Sequence, residues 1–337
     1  MTLQPGERAR LVASLPTGPQ EPVAGTPPRR PGSVRRTTAI EERWDDFGEP
    51  RRVRASGRDL VTDLDGEASV PDAASLTLLT DGTGNVTELV AEPPEPQLAE
   101  MTGVGVRSGF RAAAVALVPD HRARGSVLHQ LLDDVPLAAI IATYGLTREH
   151  PEWNIPPEAA ERLRDLCAGW ADGATMIGTL DATEIFPIPV GPPAPSLASD
   201  DDPLAWHELP PMERRTVRRV RRLDLWRASP DELALEVYFR DSHLGPDGPE
   251  DVLHEYTVTA ALDPADLRFT AVDAVAHTLP WPECPGALAS AQRAVGRTVD
   301  ELPEVVRLDF TGTSTCSHLN DLLRSTVAVR AMAEVLP

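Results

Sequence analysis

Three cysteines and eight histidines are the residues through which this 337-residue chain could perform thiol, metal or proton-transfer chemistry. Cys316 and His318 stand in GTSTCSHLNDLL, a loop leading into a helix whose apolar stripe is Leu319, Leu322, Leu323 and Val327. A thiol at a helix N-terminus sits in a field that favours thiolate. Residues i and i+2 face apart on a regular helix. At an entry loop, however, a Cys-x-His pair can converge on a metal, or the imidazole can carry the thiol's proton. The plain alternative is a helix cap with a packed thiol.

Cys284, in LPWPECPGALAS, precedes a proline suited to the first helical position, and offers a second thiolate at a helix start or a rigid packed corner. His243 (FRDSHLG) and His254 (VLHEY) lie at the two ends of one expected hairpin, so in register they are neighbours. Asp241 and Glu255 stand beside them to orient an imidazole or exchange protons. Two chemistries are thereby open. A small-molecule enzyme would use Cys316, His318, His243, His254 and Asp241. A non-catalytic protein would hold zinc or an iron–sulfur cluster on Cys316, His318, Cys284 and His243. A structural or ligand-binding module without either chemistry is the third reading.

The elements that must position these residues come from pattern. LALEVYFRDSH and HEYTVTAAL alternate apolar and polar residues around a Gly-Pro turn, LRFTAVDAVAHTL follows, and PGALASAQRAVG and SHLNDLLRSTVAVRAMAEVL carry helical spacing. An internal repeat is visible. Setting Trp44 on Trp226 brings Arg58-Asp59 onto Arg240-Asp241. Setting Val104-Gly105 on Val295-Gly296 brings GSVLHQLL onto CSHLNDLL. Under this alignment Cys316 becomes Gly125, His318 becomes Val127, Asn320 becomes His129 and His243 becomes Val61, while Leu131-Leu132 and Leu322-Leu323 persist. The expected fold is α+β: two tandem copies, each of antiparallel hairpins followed by helices, packed as a pseudo-dimer with one competent half.

The expected organisation is a disordered tail over 1–32, a degenerate first copy over 33–150, a helical connector over 151–184, a Pro-rich linker over 185–213 and the second copy over 214–337. In the connector, Ala160, Leu163, Cys167 and Trp170 share a helical stripe, which makes Cys167 a packing residue. ERRTVRRVRR, with six arginines from Arg214 to Arg222, reads as a solvated, salt-bridged edge.

Composition removes other classes. Lys+Arg is 32 and no lysine occurs, so Schiff-base, pyridoxal-phosphate, P-loop and Ser-Lys chemistry lack their amine. A net charge of −20 repels nucleic acid and anionic membranes. No apolar run reaches membrane length and the N-terminus lacks a signal-peptide core, so a cytoplasmic location is expected. A small molecule is the expected partner, and the oligomeric state is open.

At PWPECPGA and GTSTCSHLNDLL, with RDSH and LHEYTV upstream, the chain resembles the bacterial domain-of-unknown-function family 2889. The resemblance covers roughly Arg218 to Met332, implies a two-copy, actinobacterial-like form, and carries no function. The order of hairpins, a Cys-led helix and a later Cys-led helix is also similar to that of iron–sulfur scaffold proteins, where His243, Cys284 and Cys316 would occupy the ligand regions.

Overall fold

A computed structural model describes residues 5–150, 159, 161–199 and 201–337. Period-2 patterning builds eight strands: β1 (Ser33–Trp44), β2 (Arg51–Thr62), β3 (Ala68–Thr80), β4 (Val86–Glu92), β5 (Thr216–Ser229), β6 (Glu232–Leu244), β7 (Asp251–Asp263) and β8 (Arg268–Thr278). All join one antiparallel sheet in the order β4-β3-β2-β1-β5-β6-β7-β8. The chain is thus a mixed fold of antiparallel sheet and several helices. Two sheets burying matching faces are not what forms: the two meanders meet edge to edge, β1 against β5, from Ser33↔Trp226 to Arg43↔Thr216. Joining them this way pairs two rows of backbone N–H and C=O groups that would otherwise be exposed.

The helices are α1 (Pro5–Ser14), α2 (Phe110–Leu117), α3 (Pro119–Arg124), α4 (Val127–Glu149), α5 (Thr175–Thr183), α6 (Leu302–Asp309), α7 (Ser317–Ser325) and α8 (Val329–Glu334). Helix α4 crosses β1, β2, β3 and β5, while α7 lies on β6 and β7. Their apolar stripes bury two main cores against one sheet face, one around Leu131, Leu132 and Phe110, the other around Leu319, Leu322, Leu323, Phe239 and Tyr256. Among the described residues no helix is long and apolar enough to cross a membrane.

The opposite sheet face is covered by two stretches of irregular chain. Val23, Leu197, Trp206 and Leu209 pack on Ala39, Val220 and Tyr238. The segment expected as a disordered tail lies here: Val23 N–H donates to Glu255 (2.9 Å), Arg29 pairs with Asp202 (2.9 Å), and Trp206 Nε1 donates to Thr26 (2.7 Å). Residues of the Pro-rich linker lie beside it. A sheet this broad has a second apolar face to bury, and extended proline-rich chain needs no ladder of its own to cover it.

Two further expectations change. Trp44 is buried under α4, whereas Trp226 sits on the other face beneath Arg30 (4.6 Å from guanidinium to ring centroid). The counterpart of Arg36 is Arg219, because Arg36 lies opposite Asp59 and Arg219 opposite Asp241. The first hairpin is one residue longer, and a one-residue slip moves a side chain to the other face. The last expected helix is broken into α7, a 3-10 turn at Thr326–Ala328 and α8, and PGALASAQRAVG winds as a 3-10 helix over Cys284–Ala294.

Candidate functional site

ERRTVRRVRR is not a solvated edge. From Thr216 on it forms β5, at the centre of the sheet, with Arg219, Arg221 and Arg222 buried, while Arg214 ahead of the strand is exposed. Burial is offset by fixed carboxylates. Arg219 forks onto Asp241 of β6 (Nε–Oδ1 2.6 Å, Nη2–Oδ2 2.7 Å) and reaches Asp321 of α7 with Nη1 (2.6 Å). Arg221 bridges Asp134 of α4 and Asp321 (2.8 Å each). Burial alone would raise the Asp241 carboxyl, but the Arg219 charge and its two hydrogen bonds hold it well below the usual carboxylate range.

Above this fixed carboxylate two imidazoles converge. His254, opposite Asp241 in the β6–β7 register, presents Nδ1 at 3.5 Å from Oδ2. His318, in the first turn of α7, presents Nε2 at 3.9 Å from the same oxygen. The rings stack at 3.6 Å and 18°. Burial, with the neighbouring His254, pushes His318 well below the ordinary histidine range, so its ring is neutral at pH 7. Its other nitrogen, Nδ1, lies 4.0 Å from Cys316 Sγ. Cys316 is the residue before α7, with extended backbone and no side-chain capping bond. Tyr256, two residues after His254 and on the same face of β7, donates its hydroxyl to Sγ (3.3 Å). Tyr144 of α4 stands edge-on to His254 at 6.4 Å, beside a recess lined by Val190, Gly191, Val252 and Leu253 whose free space of about 10 Å³ suits one water.

The structure therefore brings together Cys316, His318, His254 and Asp241. It does not add His243. In the hairpin register Asp241 lies opposite His254 and, across a one-residue bulge, His243 lies opposite Asp251. His243 is buried elsewhere, with Nε2 on Glu149 (3.1 Å) and its ring stacked on Trp44. Glu255 points to the other sheet face, where it accepts from Tyr238, Arg240 and Val23. Cys284 is buried behind Cys316, and burial pushes its thiol up, against the expectation of a second thiolate. The expected metal set of Cys316, His318, Cys284 and His243 does not converge. Among the described residues the one group of three such donors, within 4.8 Å of one another, is Asp241, His254 and His318.

Cys167 is buried, as a packing residue should be, but its backbone is extended (φ −155°, ψ 175°) at the entry to a short 3-10 turn. The expected helical stripe therefore stops before it, and Ala160 lies outside the described residues. Burial and the nearby Cys316 push this thiol up to about 12. Tyr256, Tyr144 and Arg219 were not legible as site residues. The only signal was position, since Tyr256 follows His254 by one strand period.

Residues 217–332 match the family model described as protein of unknown function (DUF2889), a match that supports the resemblance at PWPECPGA and GTSTCSHLNDLL and contains Arg219, Asp241, His254, Tyr256, Cys284, Cys316 and His318. No curated protein and no solved structure matches the chain.

Proposed function

We propose that the protein is a small-molecule enzyme whose nucleophile is Cys316. The observation that carries this reading is the place of His318, with one ring nitrogen toward Cys316 and the other toward a carboxylate that Arg219 locks in position. This is the order thiol, base and orienting acid that activates cysteine nucleophiles, with the looser distances common before a substrate binds. In an acyl transfer, the Sγ proton passes to His318 Nδ1 as sulfur bonds to the carbonyl carbon. The leaving group then departs with that proton, and water releases the acyl group. Tyr256 steadies the sulfur, and His254 fixes the plane of the His318 ring by stacking.

Alkylation of the native protein tests the reading. Iodoacetamide is expected to label Cys316 before Cys167 and Cys284, and p-nitrophenyl acetate to leave an acetyl group on Cys316 that His318→Ala prevents. Labelling of Cys167 first, or acetylation unaffected by His318→Ala, overturns it.

The competent half belongs, in this reading, to a tandem duplication. Three matched backbone bonds support it: Gly103 N to Val86 O and Gly296 N to Phe269 O (2.8 Å each); Val86 N to Val104 O and Phe269 N to Arg297 O (2.9 Å each); Val106 N to Gly84 O and Val299 N to Leu267 O (3.0 and 3.2 Å). They favour Gly103, rather than Gly105, as the counterpart of Gly296. Both glycines have left-handed φ (85° and 83°), which a side chain would strain. Expressing residues 214–337 alone, with a polar β1-facing edge, checks whether the half that matches the family folds and assembles as a symmetric pair. Persistent aggregation of that fragment and of a matching 33–150 fragment would count against interchangeable halves.

A further inference from the structure

We propose that Asp241, His254 and His318 form a binding site for one divalent transition cation such as Zn²⁺, through Asp241 Oδ2, His254 Nδ1 and His318 Nε2. These atoms lie within 4.8 Å of one another, and the two nitrogens stand 3.5 and 3.9 Å from the carboxylate oxygen. Tetrahedral zinc with bonds of about 2.0–2.1 Å sets its ligands roughly 3.4 Å apart, so closing the site requires the two stacked imidazoles to turn their nitrogens toward one point beside Asp241 Oδ2.

A second observation points to a ligand. His254 Nδ1 is buried without a hydrogen bond of good geometry, on a side chain only 10% exposed, and it faces Asp241 Oδ2 at 3.5 Å. A buried ring nitrogen left unpaired is destabilising, and a cation there would satisfy it. The surroundings suit the role. Arg219 donates to both Asp241 oxygens, as outer-sphere partners of ligating carboxylates do, and leaves lone pairs on Oδ2. His318 Nδ1 faces Cys316, so coordination through Nε2 leaves its free N–H toward the sulfur. Two histidines and one carboxylate leave open coordination positions, the arrangement of sites that bind a water or a substrate.

The site shares His318 and Asp241 with the nucleophile reading but leaves the proton on His318 Nδ1, where that reading needs a base, so the two describe alternative states of the same residues and the test separates them. Protein stripped with a chelator and titrated with Co²⁺ is expected to develop visible ligand-field bands saturating at one cation per chain. His254→Ala is expected to weaken Co²⁺ binding by more than the roughly 10–100-fold that loss of an outer-sphere partner costs. Cys316→Ser should leave the bands in place while abolishing alkylation of that thiol, and His243→Ala, whatever it costs in stability, should leave the bands of the folded protein in place. Bands absent from the wild type, or equal in His254→Ala, overturn the site. Their loss in Cys316→Ser overturns the ligand assignment in favour of a thiolate donor. Should the histidine variants fail to fold, X-ray absorption of zinc-loaded wild type decides the matter: an imidazole and oxygen shell is expected, and a sulfur shell or the absence of imidazole refutes it.

Discussion

Arg36 and Arg219 hold the same kind of place in the two meanders and end in different surroundings. Each is buried on a strand at the junction of the halves and forks onto an aspartate of the next strand: Arg36 onto Asp59 (2.6 Å twice), Arg219 onto Asp241 (2.6 and 2.7 Å). The third bond differs. Arg36 reaches the carbonyl of Gly125 (2.7 Å), while Arg219 reaches the carboxylate of Asp321 (2.6 Å). Opposite Asp59 on β3 stands Asp72, which accepts from Val127 N (2.9 Å). Over Asp241 the chain supplies His254, His318 and Cys316. A buried arginine–carboxylate fork is therefore a framework device in both halves, and chemistry is added by what the following helix and the third strand place above it.

The largest expected effect breaks both forks alike. Asp59→Ala leaves the buried Arg36 guanidinium with no carboxylate, at a cost of about 3–5 kcal/mol, while Asp241→Ala leaves Arg219 its bond to Asp321 and should cost somewhat less, both measurable by urea unfolding. A large loss for Asp241→Ala beside a silent Asp59→Ala would break the comparison.

Next is the residue aligned with Cys316. Gly125 has φ +66°, and a Cβ there would stand 2.8 Å from the Val327 carbonyl oxygen. Gly125→Cys should cost about 1–3 kcal/mol and lower the melting temperature without creating a reactive thiol. A variant as stable as wild type would show that geometry does not exclude a cysteine from the first half.

Acidification acts on several buried histidines at once. Burial holds His129 and His207 at about 4. The unfolded chain takes up these protons near 6.5, so stability falls as pH drops from about 6.5 to about 4, by up to roughly 1.4 kcal/mol per pH unit for each histidine. His243 acts in the opposite sense. Although burial opposes it, hydrogen bonds to Asp251 and Glu149 raise its pKa, so its contribution is complete below about 6.5 and fades as pH rises through the folded value. Urea midpoints between pH 7 and 4.5 measure the balance, and His129→Gln should flatten the decline.

The smallest effect concerns helix entry. Ser126 caps α4 by accepting from His129 N (3.2 Å), whereas Cys316 caps α7 with no side-chain bond. Ser126→Ala should cost about 1 kcal/mol in thermal unfolding. Cys316→Ser should cost less, because serine can supply the cap that cysteine does not. The reverse order would show that the thiol contributes through packing.

Much of the framework was legible because it depends on local pattern. Alternation marked the hairpins, helical spacing marked Leu319, Leu322 and Leu323, and Cys316 and His318 declared themselves by standing at a helix entry. The sequence by itself also determined that amine chemistry is absent and that any thiol or imidazole chemistry must come from a few residues. Tertiary structure decided the rest. Alternation does not say where a hairpin turns, so only the folded register gave Asp241 rather than His243 to His254. An arginine run looks solvated until carboxylates from three other elements, Asp241, Asp321 and Asp134, are brought to it. The proline-rich segments became a sheet covering only because the joined meanders present a second face that nothing regular covers. Each of these outcomes depends on partners distant in the chain, and such contacts leave no periodic trace in the sequence.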